Sequence, residues 1–403
     1  MKNWVSLTVL LAAYMGWAAD ADQFRGPHRN GIFEDKGLMK SWPAGGPEEI
    51  WSVDGIGRGY GSMAIADGRI FVTGQHEQEG FVFAFDLDGN QIWKQSMGEG
   101  HNGRGYPGSR TTPTVDGDAI YVMSSMAKLF RLEAATGKQV WMVDLMAEFP
   151  GSKTPYFGFA ESVLIDGDKL ICTPGGKDAT VVALNKNTGK TVWRTKGLSE
   201  NASYCSVRVF EHGGKRQYIT MTGKSMIGVN PNDGKLLWRF DYPAEYDIHA
   251  VSPVFSENRI YVSDGYGQGG TMVTLNADGK GVTQAWKEST MDVHHGGLLH
   301  LNGYIYGVSH SGNVTILDFA NGKIVKQIDK FGKGSIVFAD GMIYGYSEKG
   351  KVGLFTASPD NFKLVSSFEI TKGKGQHWAH PVVHGGRLYI RHGDVLMAFN
   401  IKS

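Results

Sequence analysis

One short apolar motif returns eight times along the chain and restricts the fold more than any other feature. It reads Arg69-Ile-Phe-Val, Ala119-Ile-Tyr-Val, Lys169-Leu-Ile-Cys, Gln217-Tyr-Ile-Thr, Arg259-Ile-Tyr-Val, Tyr304-Ile-Tyr-Gly, Met342-Ile-Tyr-Gly and Arg387-Leu-Tyr-Ile. The copies lie about 40 to 50 residues apart, the period of four-stranded propeller blades and not of leucine-rich or helical repeats. Each belongs to a larger unit, clearest from Glu161 to Thr173 and from Ala183 to Trp193, in which alternating apolar positions are separated by turn glycines. Four strands fit in one unit. The 56 glycines and 10 tryptophans of the 403 residues suit such a strand-and-turn chain.

Tryptophans mark the outer strand at Trp51, Trp93, Trp141, Trp193, Trp238 and Trp286, and the corresponding places in the later units hold Val325 and Val365. Trp51 precedes the first complete unit, whereas the eighth unit ends at Ser403 with no fourth strand. Glu48 to Asp54 is therefore expected to supply that strand, closing the ring and hiding two sheet edges. The pattern predicts an all-β fold: an eight-bladed β-propeller of four-stranded antiparallel blades, one domain over residues 22–403.

The pattern Ala183-x-Asn185-x-x-Thr188-Gly189-x-x-x-Trp193, looser at Gly228 to Trp238 and Arg131 to Trp141, resembles the tryptophan-docking repeat of the pyrroloquinoline-quinone (PQQ) propeller family. That resemblance covers nearly the whole chain after the leader. It implies either a quinoprotein alcohol dehydrogenase, with PQQ over a calcium ion in the funnel, or a role like that of an outer-membrane assembly lipoprotein. The chain departs from both. The dehydrogenases commonly carry adjacent cysteines, but Cys172 and Cys205 are distant; Glu161 stands where a calcium carboxylate would be sought, without a matching Asn and Asp set; and no cysteine is available for a lipid anchor. The two cysteines form either one disulfide or two buried thiols.

Lysines and arginines number 41 against 40 acidic residues, which leaves no electrostatic footprint for nucleic acid. Met1-Lys2-Asn3-Trp4 and the apolar run Val5 to Ala13 read as a signal peptide over residues 1–21, cleaved after Ala21. A periplasmic or secreted monomer without a membrane anchor is expected.

Chemistry in a propeller gathers where the blade-to-blade connections open around the channel. Counting back eleven residues from Ile260, Ile305 and Leu388 lands on His249, His294 and His377, one ring position in three blades. These are candidate transition-metal ligands or acid–base groups, with Arg110 and Lys333 as candidate partners for a carboxylate. Strand alternation implies that only one of His294 and His295 faces the channel. Arg58, Tyr60, Arg104, Tyr106, Arg110, Glu161, Tyr204, His295, Trp378 and His380 are candidate ligand contacts. Three functions stay open: a non-catalytic propeller binding a small molecule, carbohydrate or protein; a PQQ-dependent dehydrogenase; and a carbohydrate lyase or hydrolase using the histidines.

Overall fold

The computed structural model describes residues 19–403 except residue 104. Residues 1–18 of the expected signal peptide and Arg104 lie outside the described residues; Ala21, expected as the last residue removed, is buried and bridged to Ile65, so the structure seats it in the folded body and does not support cleavage after it. Blade one consists of Met63–Ala66, Arg69–His76, Glu79–Asp86 and Gln91–Glu99, each antiparallel to the next. Seven more sheets repeat this order, with inner strands that begin at Thr114, Leu164, Arg208, Val254, Leu299, Gly334 and Val382. The recurring tetrapeptide forms each second strand, and its central residues are buried between neighbouring sheets.

The eighth sheet closes as the repeat count requires. Glu49–Val53 pairs antiparallel with Val395–Asn400, and Lys372 pairs with Glu49 across the junction. The first and last parts of the chain thus share one sheet, leaving no ring edge open.

Each outer strand contains a β-bulge at one fixed place. Trp51, Trp93, Trp141, Trp193, Trp238 and Trp286 pair with the third strand, and the residue before each tryptophan is the extra one. A bulge twists the outer edge away from pairing with other chains. It also corrects the alignment of the later blades. Val325 and Val365 are the bulged residues there, so Lys326 and Ser366 occupy the tryptophan position.

The tryptophans dock blade on blade. Trp93 packs 6.0 Å from Phe71 of its own blade, and its indole N–H donates to the Ala134 carbonyl of the next. The same bond joins Trp51 to Leu87, Trp141 to Lys186 and Trp193 to Pro231. The ring lies beneath the turn glycine of that neighbour. Gly137 has φ 73°, and a Cβ there would sit 2.6 Å from Trp93 Cε3, so both conformation and space demand glycine. Where blades six and seven lack tryptophan, Phe362 packs on Tyr306 and Trp42 of the N-terminal segment packs on Tyr344.

That N-terminal segment crosses the channel, which the repeat does not foretell. Ile65 N–H donates to Ala21 O, Val115 N–H to Asp22 O and Phe338 N–H to Gly31 O, tying the segment to blades one, two and seven. Ile32–Phe33 then adds a parallel fifth strand to blade seven. Arg25 and Arg29 are buried in the channel and donate to the carbonyls of Leu298 and Ile336, and of Ser162 and Val163. The segment plugs the channel from within.

Candidate functional site

Above the plug lies a blind cavity of about 380 Å³, at the small end of the roughly 300–1,000 Å³ usual for small-molecule sites. Phe24 of the plug forms part of its floor, and every blade-to-blade connection contributes to its wall. Tyr60, Tyr106, Arg110, Tyr204, His294, His295, Lys333, Trp378 and His380, all singled out in the sequence, line this one cavity. Phe24, Phe157, Tyr266 and His310 line it too, and of these Phe24, Phe157 and Tyr266 went unpredicted. Phe157 and Tyr266 lie in loops whose aromatic content was a readable signal; Phe24 had none, because the plug belongs to no repeat.

The rings form a belt. Trp378 stands 4.9 Å from Tyr60, 4.8 Å from Tyr106 and 6.0 Å from His295. His294 is 4.8 Å from Tyr266 and 5.5 Å from His295. Both adjacent histidines line the cavity because they sit in a bend ahead of the inner strand, where strand alternation does not apply. This corrects the expectation that only one would.

Glu348 stands behind that wall and organises it. Its Oε1 accepts from Trp378 Nε1 at 2.6 Å, His295 Nε2 at 2.8 Å and Lys333 Nζ at 3.1 Å. Burial alone would raise its pKa, but the His295 bond and the Lys333 charge hold it down to about 2. The Lys333 ammonium also faces His294 Nδ1 at 3.3 Å. An ammonium only donates, so Nδ1 accepts and the ring proton belongs on Nε2. Burial, with the nearby His295, Lys333 and His310, lowers the His294 pKa to about 3. His294 is thus a neutral hydrogen-bond donor and a poor base.

Arg110 lines the same cavity. Its guanidinium lies 4.9 Å from the Tyr60 ring and 5.5 Å from Phe157, and donates to the carbonyls of Gly108 and Tyr106. Burial lowers its pKa only to about 10, so it stays charged at neutral pH. Among the described residues no carboxylate lies within ion-pair distance of it. The lining, among the described residues, contains Arg110 and Lys333 but no Asp or Glu. Beneath the floor, Arg25 donates to His380 Nδ1 at 3.1 Å, and His380 Nε2 in turn donates to His295 O. Buried cations below and beside the cavity make it attractive to an anion.

Other expected residues lie elsewhere. His249 is enclosed, 2.7 Å from Tyr242 O and 3.2 Å from Asp264. His377 stacks on His392 at 3.5 Å and bonds Tyr346 Oη. The structure therefore does not bring His249, His294 and His377 together; a shared offset in sequence put them on different sides of their loops. Arg58 points outward and donates to Glu77 O. Glu161 is buried below, accepting from Thr173 N at 2.7 Å and Thr173 Oγ1 at 3.1 Å, and burial raises its pKa to about 8. Cys172 and Cys205 are free, buried thiols.

The family described as outer membrane protein assembly factor BamB, PQQ_2, matches residues 78–328. The chain belongs to this family. The BamB of Moranella endobia is 25% identical over 327 residues, 76% of this chain and 68% of that protein. A quinoprotein ethanol dehydrogenase of Pseudomonas aeruginosa is 34% identical over 146 residues, 36% of this chain. The chain spans only 20% of that relative's length. Among solved structures, the quinohemoprotein alcohol dehydrogenase of Comamonas testosteroni superposes with a TM-score of 0.67 at 12% identity, covering 95% of this chain and 81% of that one. BamB of Moraxella catarrhalis gives 0.63 at 15%, covering 88% and 98%. These likenesses show the PQQ-like propeller fold.

Calcium-bound PQQ does not fit this family member's funnel. Calcium takes six to eight oxygen ligands. The nearest donor set, His294, His295 and Glu348, has its ligand atoms within 4.8 Å of one another, yet it offers two nitrogens and one carboxylate already in contact with the Lys333 ammonium. Glu161 is held in its neutral form at neutral pH and is committed to Thr173.

Proposed function

We propose that this chain is an exported, non-catalytic binding propeller whose funnel holds a small ring bearing a carboxylate. One observation carries the reading: Arg110 is a charged, half-buried guanidinium with no carboxylate partner among the described residues, in a cavity walled by aromatic rings. Two carbonyls accept from this guanidinium but leave its charge uncompensated in a partly desolvated wall, and a ligand carboxylate bound by its planar fork would supply the counter-charge. The belt of Tyr60, Tyr106, Trp378 and Tyr266 offers faces for the ring of the ligand. Lys333 and the Nε2–H of His294 add donors for oxygen acceptors. A binding role is favoured over acid–base catalysis because His294 is too weak a base and the Glu348 Oε1 is already occupied by three donors. The apolar run Val5 to Ala13 supports export.

Isothermal titration of the mature chain with glucuronate, benzoate, glucose and benzyl alcohol tests the reading. The two acids bind and the two neutral compounds do not, and Arg110→Met loses the acids while melting as the wild type does. Equal affinity for acids and their neutral counterparts sinks it.

A further inference from the structure

Resting on that reading, we infer that the ligand is an oligosaccharide of mostly neutral sugars with a single uronate at its inner end, and that the funnel lip binds the sugars that follow. The cavity is too small to explain the rings found outside it. Tyr156 and Tyr246 stand at the lip with 62% and 71% of their surface exposed, the most exposed large apolar side chains among the described residues. Both continue the inner belt: Tyr156 meets Phe157 at 4.8 Å, and Tyr246 meets Tyr266 at 6.0 Å. Phe157 and Tyr266 line the cavity, so each track runs from solvent to the cavity wall. Both tracks lie over blades three to five, with Tyr204 between them, 6.2 Å from Phe157.

The backbone supports the same assignment. Tyr106, Tyr246 and Tyr266 have φ of 51°, 61° and 58°, a left-handed region that bulky residues rarely take, and all three belong to this rim or wall. Spaced, exposed rings beside a blind pocket suit a chain of pyranose rings, whose C–H faces stack on aromatic faces while their hydroxyls stay in water.

Charge fixes which end is acidic. Among the described residues the lining cations, Arg110 and Lys333, are inside. On the Tyr246 track the neighbouring Glu245 and Asp247, the latter accepting from Asn201, disfavour acidic sugars, so the carboxylate belongs at the inner end and neutral sugars follow along that track. This separates the inference from a general affinity for polyanions.

The test is a titration series: glucuronic acid, then aldobiouronic and aldotriouronic acids, which add neutral xylose units to one glucuronate, and galacturonic acid trimer as the polyanionic control. Affinity rises about tenfold from glucuronic acid to the aldotriouronic acid, the ratio that 1.4 kcal/mol of stacking supplies, and the galacturonate trimer gains less. The Tyr156→Ser/Tyr246→Ser double variant loses the gain and keeps the wild-type affinity for glucuronic acid. Affinity independent of length, or a gain that survives in the double variant, overturns the inference and leaves the carboxylate reading standing. If glucuronic acid itself fails to bind, both fall.

Discussion

Glu161 provides a quantitative test of how the channel treats a carboxyl group. Its side chain is buried, with both oxygens accepting from Thr173, and its pKa is pushed up from 4.5 to about 8, first by burial. A raised folded pKa means that the folded state holds the proton more tightly than the unfolded chain does. The associated stability is therefore complete below pH 4.5 and disappears as the pH rises through 8. At 1.36 kcal/mol per pH unit, the interval from 4.5 to about 8 corresponds to a loss of about 4–5 kcal/mol. Glu161→Gln keeps the shape and an acceptor for Thr173 N–H but cannot ionise. Its stability relative to wild type should be near zero at pH 4.5 and grow to about 4 kcal/mol above pH 8. Asp22, raised to about 6 chiefly by burial, is present in both proteins and cancels. Urea unfolding followed by circular dichroism at pH 4.5, 7 and 9 measures the difference directly. A difference that stays constant across this range would show that Glu161 is already an anion when folded, and the argument against calcium at this position would fail with it.

Two further perturbations address the ring. Deleting residues 22–56 removes the plug and the outer strand of blade eight, so the product should fail to fold cooperatively; an unchanged melting temperature would refute closure by Glu49–Val53. Gly137→Ala should cost about 2–4 kcal/mol, from the left-handed φ and the collision with Trp93, whereas Gly117→Ala, also left-handed but open, should cost about 1–2; equal losses in thermal unfolding would deny the docking role of the indole.

The blades were legible because their signals are local. An apolar tetrapeptide, a glycine that must turn left and a tryptophan that needs a place to dock recur together whatever the rest of the chain does. The misplacement of Val325 and Val365 shows the limit of that locality: a bulge adds one residue, and a one-dimensional alignment of apolar positions selects the bulged valine over Lys326 or Ser366. The plug was illegible for the opposite reason. Arg25 finds Leu298, Ile336 and His380 across more than half of the chain, and no periodicity encodes such a meeting.

The site stands between these cases. Its residues come from connections that the repeat leaves free, so the sequence indicated which segments to search but not which way each side chain turns. His249, His294 and His377 share one offset, yet only His294 lines the cavity, because the loop of each blade packs against different neighbours: Tyr242 and Asp264 enclose His249, and His392 covers His377. Direction in such loops is decided by charge and burial more than by register. Glu348 illustrates this: sequence reading passed over it, and it gathers Trp378, His295 and Lys333 around one oxygen. With that anion committed to the wall, Arg110 is left, among the described residues, as a lining cation without a counter-charge, and the proposed chemistry of the funnel follows from that imbalance.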